Sequence, residues 1–393
     1  NMEKHMGEHP RMGATDVCPF IPIANVTMEE CVKFSHKLAK KVGNNLNIPI
    51  FMYENSSKDK SKSNLSLIRQ GEYEGMAEKL KDSNWAPDYG PSVLNKKSGV
   101  TAIGAREFLI AYNININSHE KKHATDIALD IREAGRAKRD IQGKIVRDKN
   151  GKIIKKLGTL KNCKAVGWYI NEYKTAQVSI NLTNYKKTSL HKTFNEVRKQ
   201  ARKRGLRVSG SEIVGLVPKK ALIDTGKHYL KKQKQSAGIP EQDILNIAIK
   251  SLGLNDLSNF NVNDKIIEFK IQKSNNLINM KLNDFIDEVS RGTATPGGGS
   301  VSALVSSLGG GLSAMVSNLT INKKAFEKSF NLHYEKSQEC QEYIKILNSF
   351  IDEDSNAYND VLSAIRLPKK TEKQKKYRSR MIDEANKRAA DVP

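Results

Sequence analysis

Several features are scarce in this chain of 393 residues, and each scarcity removes a class of function. The four cysteines, Cys18, Cys31, Cys163 and Cys340, lie far apart, with no Cys-x-x-Cys pair and no Cys/His pair at zinc-ligand spacing. That argues against a zinc-ribbon protein and a disulfide scaffold, and reads as the reduced thiols of a cytosolic protein. No secretory signal is visible, and Asn1 opens in loop-like sequence while Asp391-Val392-Pro393 follows directly on a helical pattern, so both ends are expected to be interior to a longer chain. Only Ser300 to Leu319 has the length to span a bilayer. Its serines and the run Gly309-Gly310-Gly311 predict a buried helix packed closely on others, and no transmembrane segment. Acidic residues are outnumbered, 43 against 66 basic, giving a formal charge of +23 and a pI near 9.6. The imbalance predicts attraction to nucleic acid, an anionic membrane or a polyanionic small molecule. An RNP-like aromatic pattern is also missing: Trp168 and Tyr169 are adjacent and point to opposite faces of a strand, whereas an RNA-binding sheet stacks bases on aromatics of one face.

What is present describes a soluble globular chain, 38% hydrophobic and 28% charged, long enough for two or three domains with full cores. Val17 to Ile23 reads as a strand confined to an edge by its prolines. Thr27-Met28-Glu29-Glu30 is a capping box opening a helix from 28 to about 45, followed by a buried-type strand at Ile48 to Tyr53 and a short helix from Gly71 to Lys81. Asn84 to Gly104 holds too many turn formers for a regular element and reads as one long functional loop. From Phe108 the order becomes legible: strand Phe108 to Ile114, helix His119 to Gly135, strands Val166 to Ile170 and Ala176 to Leu182, helix Leu190 to Arg204, strand Glu212 to Val217. This βαββαβ order is that of a ferredoxin-like unit, an antiparallel sheet with two helices on one face. Arg136 to Lys164 interrupts it with eleven basic and two acidic residues and a hairpin turn at Lys149-Asn150-Gly151. Helices at Lys219 to Lys232 and Glu241 to Leu252 precede a last strand at Ile266 to Ile271, and beyond a polar linker the pattern is all helical.

Three stretches carry chemistry. Gly7-Glu8-His9-Pro10-Arg11-Met12-Gly13-Ala14 holds a histidine in stiff, extended backbone between two glycines, and an imidazole can take and return a proton near pH 7. Thr295-Pro296-Gly297-Gly298-Gly299-Ser300 opens a helix whose first N–H groups could meet an anion. Asp352-Glu353-Asp354 lies inside an apolar-patterned helix; Asp354 shares a stripe with Ala357 and Tyr358, and an inward carboxylate is costly unless used.

The His-centred motif and Thr-Pro-Gly-Gly-Gly-Ser-Val at 295 to 301, in this order, resemble formimidoyltransferase-cyclodeaminase, the bifunctional folate enzyme family of histidine breakdown. Asp16-Val17-Cys18-Pro19-Phe20-Ile21-Pro22, Asp88-Tyr89-Gly90-Pro91-Ser92, Gly167-Trp168-Tyr169, Gly215-Leu216-Val217-Pro218 and Arg366-Leu367-Pro368-Lys369 extend the resemblance over essentially the whole chain. It implies an α+β transferase domain of two ferredoxin-like βαββαβ halves, the first incomplete, followed by an all-α helical domain. The expected divisions are 1–105, 106–271, a linker at 272–280, and an incomplete cyclodeaminase domain at 281–393. On the match His9 is the transferase histidine and Asp354 the cyclodeaminase aspartate. Gly90-Pro91-Ser92-Val93-Leu94-Asn95-Lys96-Lys97-Ser98-Gly99 is the folate-binding segment, with Lys96-Lys97-Ser98 departing from the apolar or aromatic residues expected there. The histidine's acidic partner is expected before residue 1, and the basic stretch 144–162 is expected to be an insertion relative to the animal enzymes.

The implied chemistry suits these residue types. N5 of tetrahydrofolate attacks the amidinium carbon of N-formimino-L-glutamate, and one histidine can remove the N5 proton and return it to the departing amine. N10 then attacks the same carbon, ammonia leaves, and an ionised Asp354 stabilises the cationic methenyl bridge. The resemblance implies polyglutamylated tetrahydrofolate as co-substrate, no metal, no nucleic-acid partner, a cytoplasmic location and a homo-oligomer arranged as a ring of dimers. The competing readings are a single-activity glutamate formimidoyltransferase whose helical domain serves assembly, and a basic nucleic-acid-binding protein.

Overall fold

The computed structural model describes residues 1–6, 10–60, 62–271, 277–321 and 323–392. His9, with Gly7 and Glu8, and the linker residues 272–276 lie outside the described residues.

The first unit is built on a parallel sheet of order β1-β3-β2, from β1 (Val17–Phe20), β2 (Ile50–Glu54) and β3 (Thr101–Ala105). Helix α1 (Met28–Leu46) joins the first two strands, its N-terminus closed by the reciprocal Thr27–Glu30 box that the sequence announces. Such a cap is worth about 1 kcal/mol. The apolar run of β2 reflects burial on both faces. Ile50 and Met52 pack with Ala39 on the α1 side, while Phe51 and Tyr53 pack on the other side with Met12, Ile68 and Met76. Ile68 and Met76 come from α2 (Leu65–Ile68) and α3 (Glu72–Lys79). The expectation of one long loop from 84 to 104 is corrected here: Thr101–Ala105 is the central strand. Its small residues hid it from a reading based on apolar size. They are required by packing, because a Cβ at Gly104 would lie 2.3 Å from the Tyr53 carbonyl oxygen.

The second unit is the expected antiparallel sheet, order β7-β8-β4-β9, from β4 (Ile110–Ile116), β7 (Cys163–Ile170), β8 (Thr175–Leu182) and β9 (Val208–Val214). Helices α4 (Lys121–Ile131) and α5 (Leu190–Arg202) bury one face, together with α6 (Lys219–Lys232) and α7 (Glu241–Leu252). Tyr112 is wholly buried there, and its hydroxyl donates to Ser211 Oγ at 3.1 Å. The basic excursion is folded, tied at its base by β5 (Arg136–Ala137) and β6 (Lys155–Lys156). Its Lys149-Asn150-Gly151 turn forms as expected, with Asp148 Oδ1 accepting from the N–H groups of Asn150 and Lys152. An identical turn at Asp140, which the sequence reading passed over, precedes it.

The expected strand at Ile266 to Ile271 is instead two short helices, α8 (Val262–Lys265) and α9 (Ile267–Ile271), with Ile266 making a single bridge to Val217. The alternating apolar residues were misleading. Glu268 points back to accept the Lys219 N–H at 2.8 Å, which a helical turn permits.

The last region consists of α10 (Leu282–Val289), α11 (Gly298–Ile321), α12 (Phe330–Ile365) and α13 (Glu372–Asp391). It is tied to the second unit by Leu230, Ala237 and Ile244 packing on Ile321 and Tyr334, and by Asn318 donating to the Gly238 carbonyl at 2.7 Å. The expectation that the Ser300 to Leu319 helix is buried holds for one stripe only. Ser300, Ala303, Ser307 and Ala314 are buried, while Val305, Leu308, Leu312, Val316 and Leu319 are exposed. This helix is long and apolar enough to cross a membrane by length and composition, yet it pairs along α12.

Candidate active sites

The chain leaving the His9 segment is pinned on both sides. Arg11 ion-pairs with Glu72 at 3.2 Å and Glu74 at 2.7 Å, and its guanidinium holds the Glu74 carboxyl below the usual range. The Met12 N–H donates to Asp16 Oδ1 at 2.8 Å, and Asp16 in turn pairs with Arg69. Met12 is fully buried. A cleft of about 530 Å³ opens beside Met6, Arg11, Gly71, Glu72 and Glu74.

The structure brings the segment 90–99 onto this same stretch. Gly13 bridges Gly99, the Ala14 N–H donates to the Ser98 carbonyl at 2.8 Å, and the Val100 N–H to the Met12 carbonyl at 2.9 Å. A Cβ on Gly13 would lie 2.1 Å from the Val100 oxygen, and one on Gly99 2.3 Å from the Met12 oxygen, so both positions need glycine for this approach. Within the loop Asn95 accepts from Ser98, Gly90 sits against Gly43, and Leu94 packs on the Met12 cluster. Pro91 and Ser92 lead into Val93, which is exposed, as are the side chains of Lys96 and Lys97. The carbonyls of Lys96 and Lys97 are used, accepting from the Tyr73 hydroxyl and the Met2 N–H. Thus the backbone is fixed while both ammonium groups remain free to meet a ligand.

The second site joins the other two motifs. Ser300, in the first turn of α11, donates to Asp354 Oδ2 through its N–H at 2.9 Å and its hydroxyl at 3.0 Å. The anion expected at the Gly297-Gly298-Gly299 turn is therefore the chain's own carboxylate. Asp354 Oδ1 lies against Gly299, where an added Cβ would be 2.2 Å away, so that glycine leaves this oxygen uncovered. Ser300 is completely buried and also donates to the Ile351 carbonyl. Asp354 is half-buried, whereas Tyr358 on its supposed stripe is exposed; the residues buried beside it are Ile351 and Ser355. Asp352 also turns inward and accepts the Leu277 N–H at 2.6 Å.

Sequence reasoning missed a third cluster, on the helix-free face of the second sheet. Glu212 Oε1 accepts from the side-chain amides of Asn113 at 3.1 Å and Gln177 at 2.9 Å, and Gln177 also donates to Asn115 Oδ1. Asn-Ile-Asn in β4 was a signal for it, because alternate polar residues in a strand share a face. A further histidine pair, His191 and His228, stacks at 4.1 Å between α5 and α6; burial, aided by its neighbour, pushes His191 down to about 4. Among the described residues no group of three or more His, Cys, Asp or Glu side chains gathers as a metal site, and all four cysteines are free.

The two motif sites now stand at opposite ends of the chain, and the whole length between them has counterparts in known proteins. Residues 1–106 match the N-terminal subdomain model of the formiminotransferase domain, 111–272 the formiminotransferase domain model, and 281–393 the model described as formiminotransferase-cyclodeaminase. The chain belongs to the formimidoyltransferase-cyclodeaminase family. It is 41% identical over 397 residues to formimidoyltransferase-cyclodeaminase of Dictyostelium discoideum and 39% identical over 396 residues to that of Mus musculus. In each case all of this chain and 70% of the relative is covered. The glutamate formimidoyltransferase of Streptococcus pyogenes is 44% identical over 230 residues, 58% of this chain and 70% of its own length. That relative bears the name of one activity. The family members that match this chain over its whole length bear both.

Proposed function

We propose that the protein transfers the formimino group from N-formimino-L-glutamate to tetrahydrofolate and then closes 5-formiminotetrahydrofolate to 5,10-methenyltetrahydrofolate with release of ammonia. The observation that carries the reading is full-length membership of the bifunctional family, with transferase and cyclodeaminase regions in the same order.

In this reading His9 serves the first reaction as general base toward N5 and then as general acid toward the departing glutamate nitrogen. The loop from Gly90 to Gly99 contacts the folate, since its backbone is locked to Met12, Gly13 and Ala14, only a few residues from the histidine. Asp354 serves the second reaction. Its Oδ2 is held at the positive end of α11, while Oδ1, uncovered above Gly299, faces the cation that forms as N10 attacks and takes the N10 proton for the leaving ammonia. Neither step calls for a metal. The folate carries a polyglutamate tail that meets Lys96 and Lys97, and the working form is a cytoplasmic homo-oligomer.

Assaying the half-reactions separately tests this. The protein is expected to consume formiminoglutamate with tetrahydrofolate, and to release ammonia from supplied 5-formiminotetrahydrofolate as the methenyl absorbance rises. Transfer without ring closure would reduce the helical region to an assembly domain.

A further inference from the structure

The face of the second sheet turned away from its helices has an unusual composition. From the strand registers, Trp168, Gln177, Asn115 and Gly210 form one cross-strand row. Val166, Ser179, Asn113 and Glu212 form the next, and Lys164, Asn181, Ala111 and Val214 a third. A face packed by protein is apolar, and a merely solvated one leaves its polar groups in water. This face does neither, because Asn115 is 0% exposed and Gln177 2% exposed.

Burying amides is costly unless their hydrogen bonds are made. Gln177 uses its amide nitrogen twice, toward Asn115 and Glu212. Asn115 accepts on its oxygen, but its amide nitrogen Nδ2 is buried with no partner. An unpaired buried donor in a cluster otherwise satisfied points to an acceptor supplied from outside. Beside it stands a carboxylate, Glu212, whose Oε1 gathers two amide donors and whose charge raises the Tyr173 phenol on the β7–β8 turn. The site therefore offers a donor and an acceptor side by side, with the exposed Trp168 ring at the end of the row. It opens toward the first unit, where Lys164 of the third row reaches Ser66 of α2 at 3.5 Å.

We propose that this face holds the pterin head of tetrahydrofolate, with Glu212 accepting from ring N3–H and the 2-amino group and Asn115 Nδ2 donating to the 4-oxo group. The inference rests on the transferase reading above, and names residues for substrate recognition outside the Gly90 to Gly99 loop. The other substrate fits less well. Its amidinium would suit Glu212, but an amidinium is all donors and gives Asn115 Nδ2 nothing to bond, and its carboxylates are repelled by Glu212.

Calorimetric titration of the full chain with tetrahydrofolate and with its 2-desamino analogue tests the assignment. The unaltered protein is expected to favour the 2-amino form by about tenfold or more. Glu212→Gln should lose about tenfold in folate affinity together with that preference, with the KM for formiminoglutamate unchanged. Asn115→Leu separates recognition from folding. It removes an unsatisfied buried donor, so its melting temperature should hold or rise while folate affinity falls about fivefold or more. A Glu212→Gln protein that still prefers the 2-amino form overturns the proposal, as does a rise in formiminoglutamate KM with folate binding intact. If Glu212→Gln does not fold, Asn115→Leu decides, and unchanged folate affinity there overturns it. A wild-type protein that binds no tetrahydrofolate overturns the transferase reading and this inference with it, whereas normal binding undiminished in both variants removes the pterin site alone.

Discussion

The two motif sites are built in different ways. The one beside His9 is assembled from loop: Met12, Gly13 and Ala14 are laced to Ser98, Gly99 and Val100 by backbone hydrogen bonds, and the flanks are held by ion pairs of Arg11 and Asp16. The one at Asp354 is assembled from two helices, with a carboxylate in the middle of α12 set against the first turn of α11. A loop site takes its shape from glycine and from side chains that clamp it, so it tolerates little change in the backbone. A helix site takes its shape from packing far from the chemistry, so single polar atoms can be altered with the frame intact. The difference suits a reaction with two substrates to align in the first case and an intramolecular ring closure in the second.

The largest expected effect comes from crossing the two sites. Asp354→Asn keeps the size and one acceptor of the carboxylate but removes its charge and basicity, and should slow ring closure by about 10²–10³-fold, in the range of lost electrostatic stabilisation. His9→Ala should slow transfer by about 10²–10⁴-fold, the usual weight of a general acid–base. Each variant should leave the other half-reaction at wild-type rate. Measured together, ammonia release, methenyl absorbance and formiminoglutamate consumption show whether 5-formiminotetrahydrofolate accumulates in the Asp354 variant. Parallel loss of both activities in a folded protein would merge the two sites into one.

Gly299→Ala sharpens the contrast, because it touches the helix site without altering any group that reacts. Alanine favours a helix over glycine by about 1 kcal/mol, so a purely structural glycine predicts a protein as stable or more so, with full activity. The new methyl would meet Asp354 Oδ1 at 2.2 Å and push the carboxylate off its place, so ring closure should fall by about tenfold or more while transfer is kept. Undiminished ammonia release would mean that Oδ1 has no part in the reaction.

Gly13→Ala is the matching change in the loop site, and there the outcome reverses. The added methyl meets main-chain oxygens of Val100 and Ser98, which cannot move without unlacing the loop, so stability should drop by about 1–3 kcal/mol and transfer with it. A denaturant melt and the two assays distinguish this from Gly299→Ala, which should lose one activity and no stability.

These pairs also explain what could be read from the sequence. Helix α1 was legible because its cap and its apolar spacing agree, and the second sheet because its strands are long and alternate. Strand Thr101–Ala105 was not, since its residues are small for the sake of Tyr53, a contact made across 50 positions of sequence. The chemistry-bearing motifs stood out as residue strings, but the meeting of Ser300 with Asp354, 54 residues apart, is a product of packing. Glu212 was invisible for the same reason. Its partners come from two other strands, and only the register sets Asn113 opposite it.

The smallest expected effect tests whether the loop site is steered by charge as well as by shape. Lys96 and Lys97 are exposed, and their backbone carbonyls, not their ammonium groups, hold the loop in place. Replacing both with alanine should therefore leave the melting temperature and the Asp354 reaction unchanged. For tetrahydrofolate with a single glutamate, affinity should change by less than about twofold, because solvent-exposed charges contribute weakly. With several glutamates the tail brings more negative charge within range, and the loss should reach about fivefold at low salt. Raising the ionic strength toward 1 M shortens the screening length to about 3 Å and should bring wild type and variant together. Equal affinities of the two proteins for the long-tailed folate at low salt would leave shape, through Gly13 and Gly99, as the sole source of recognition at this loop.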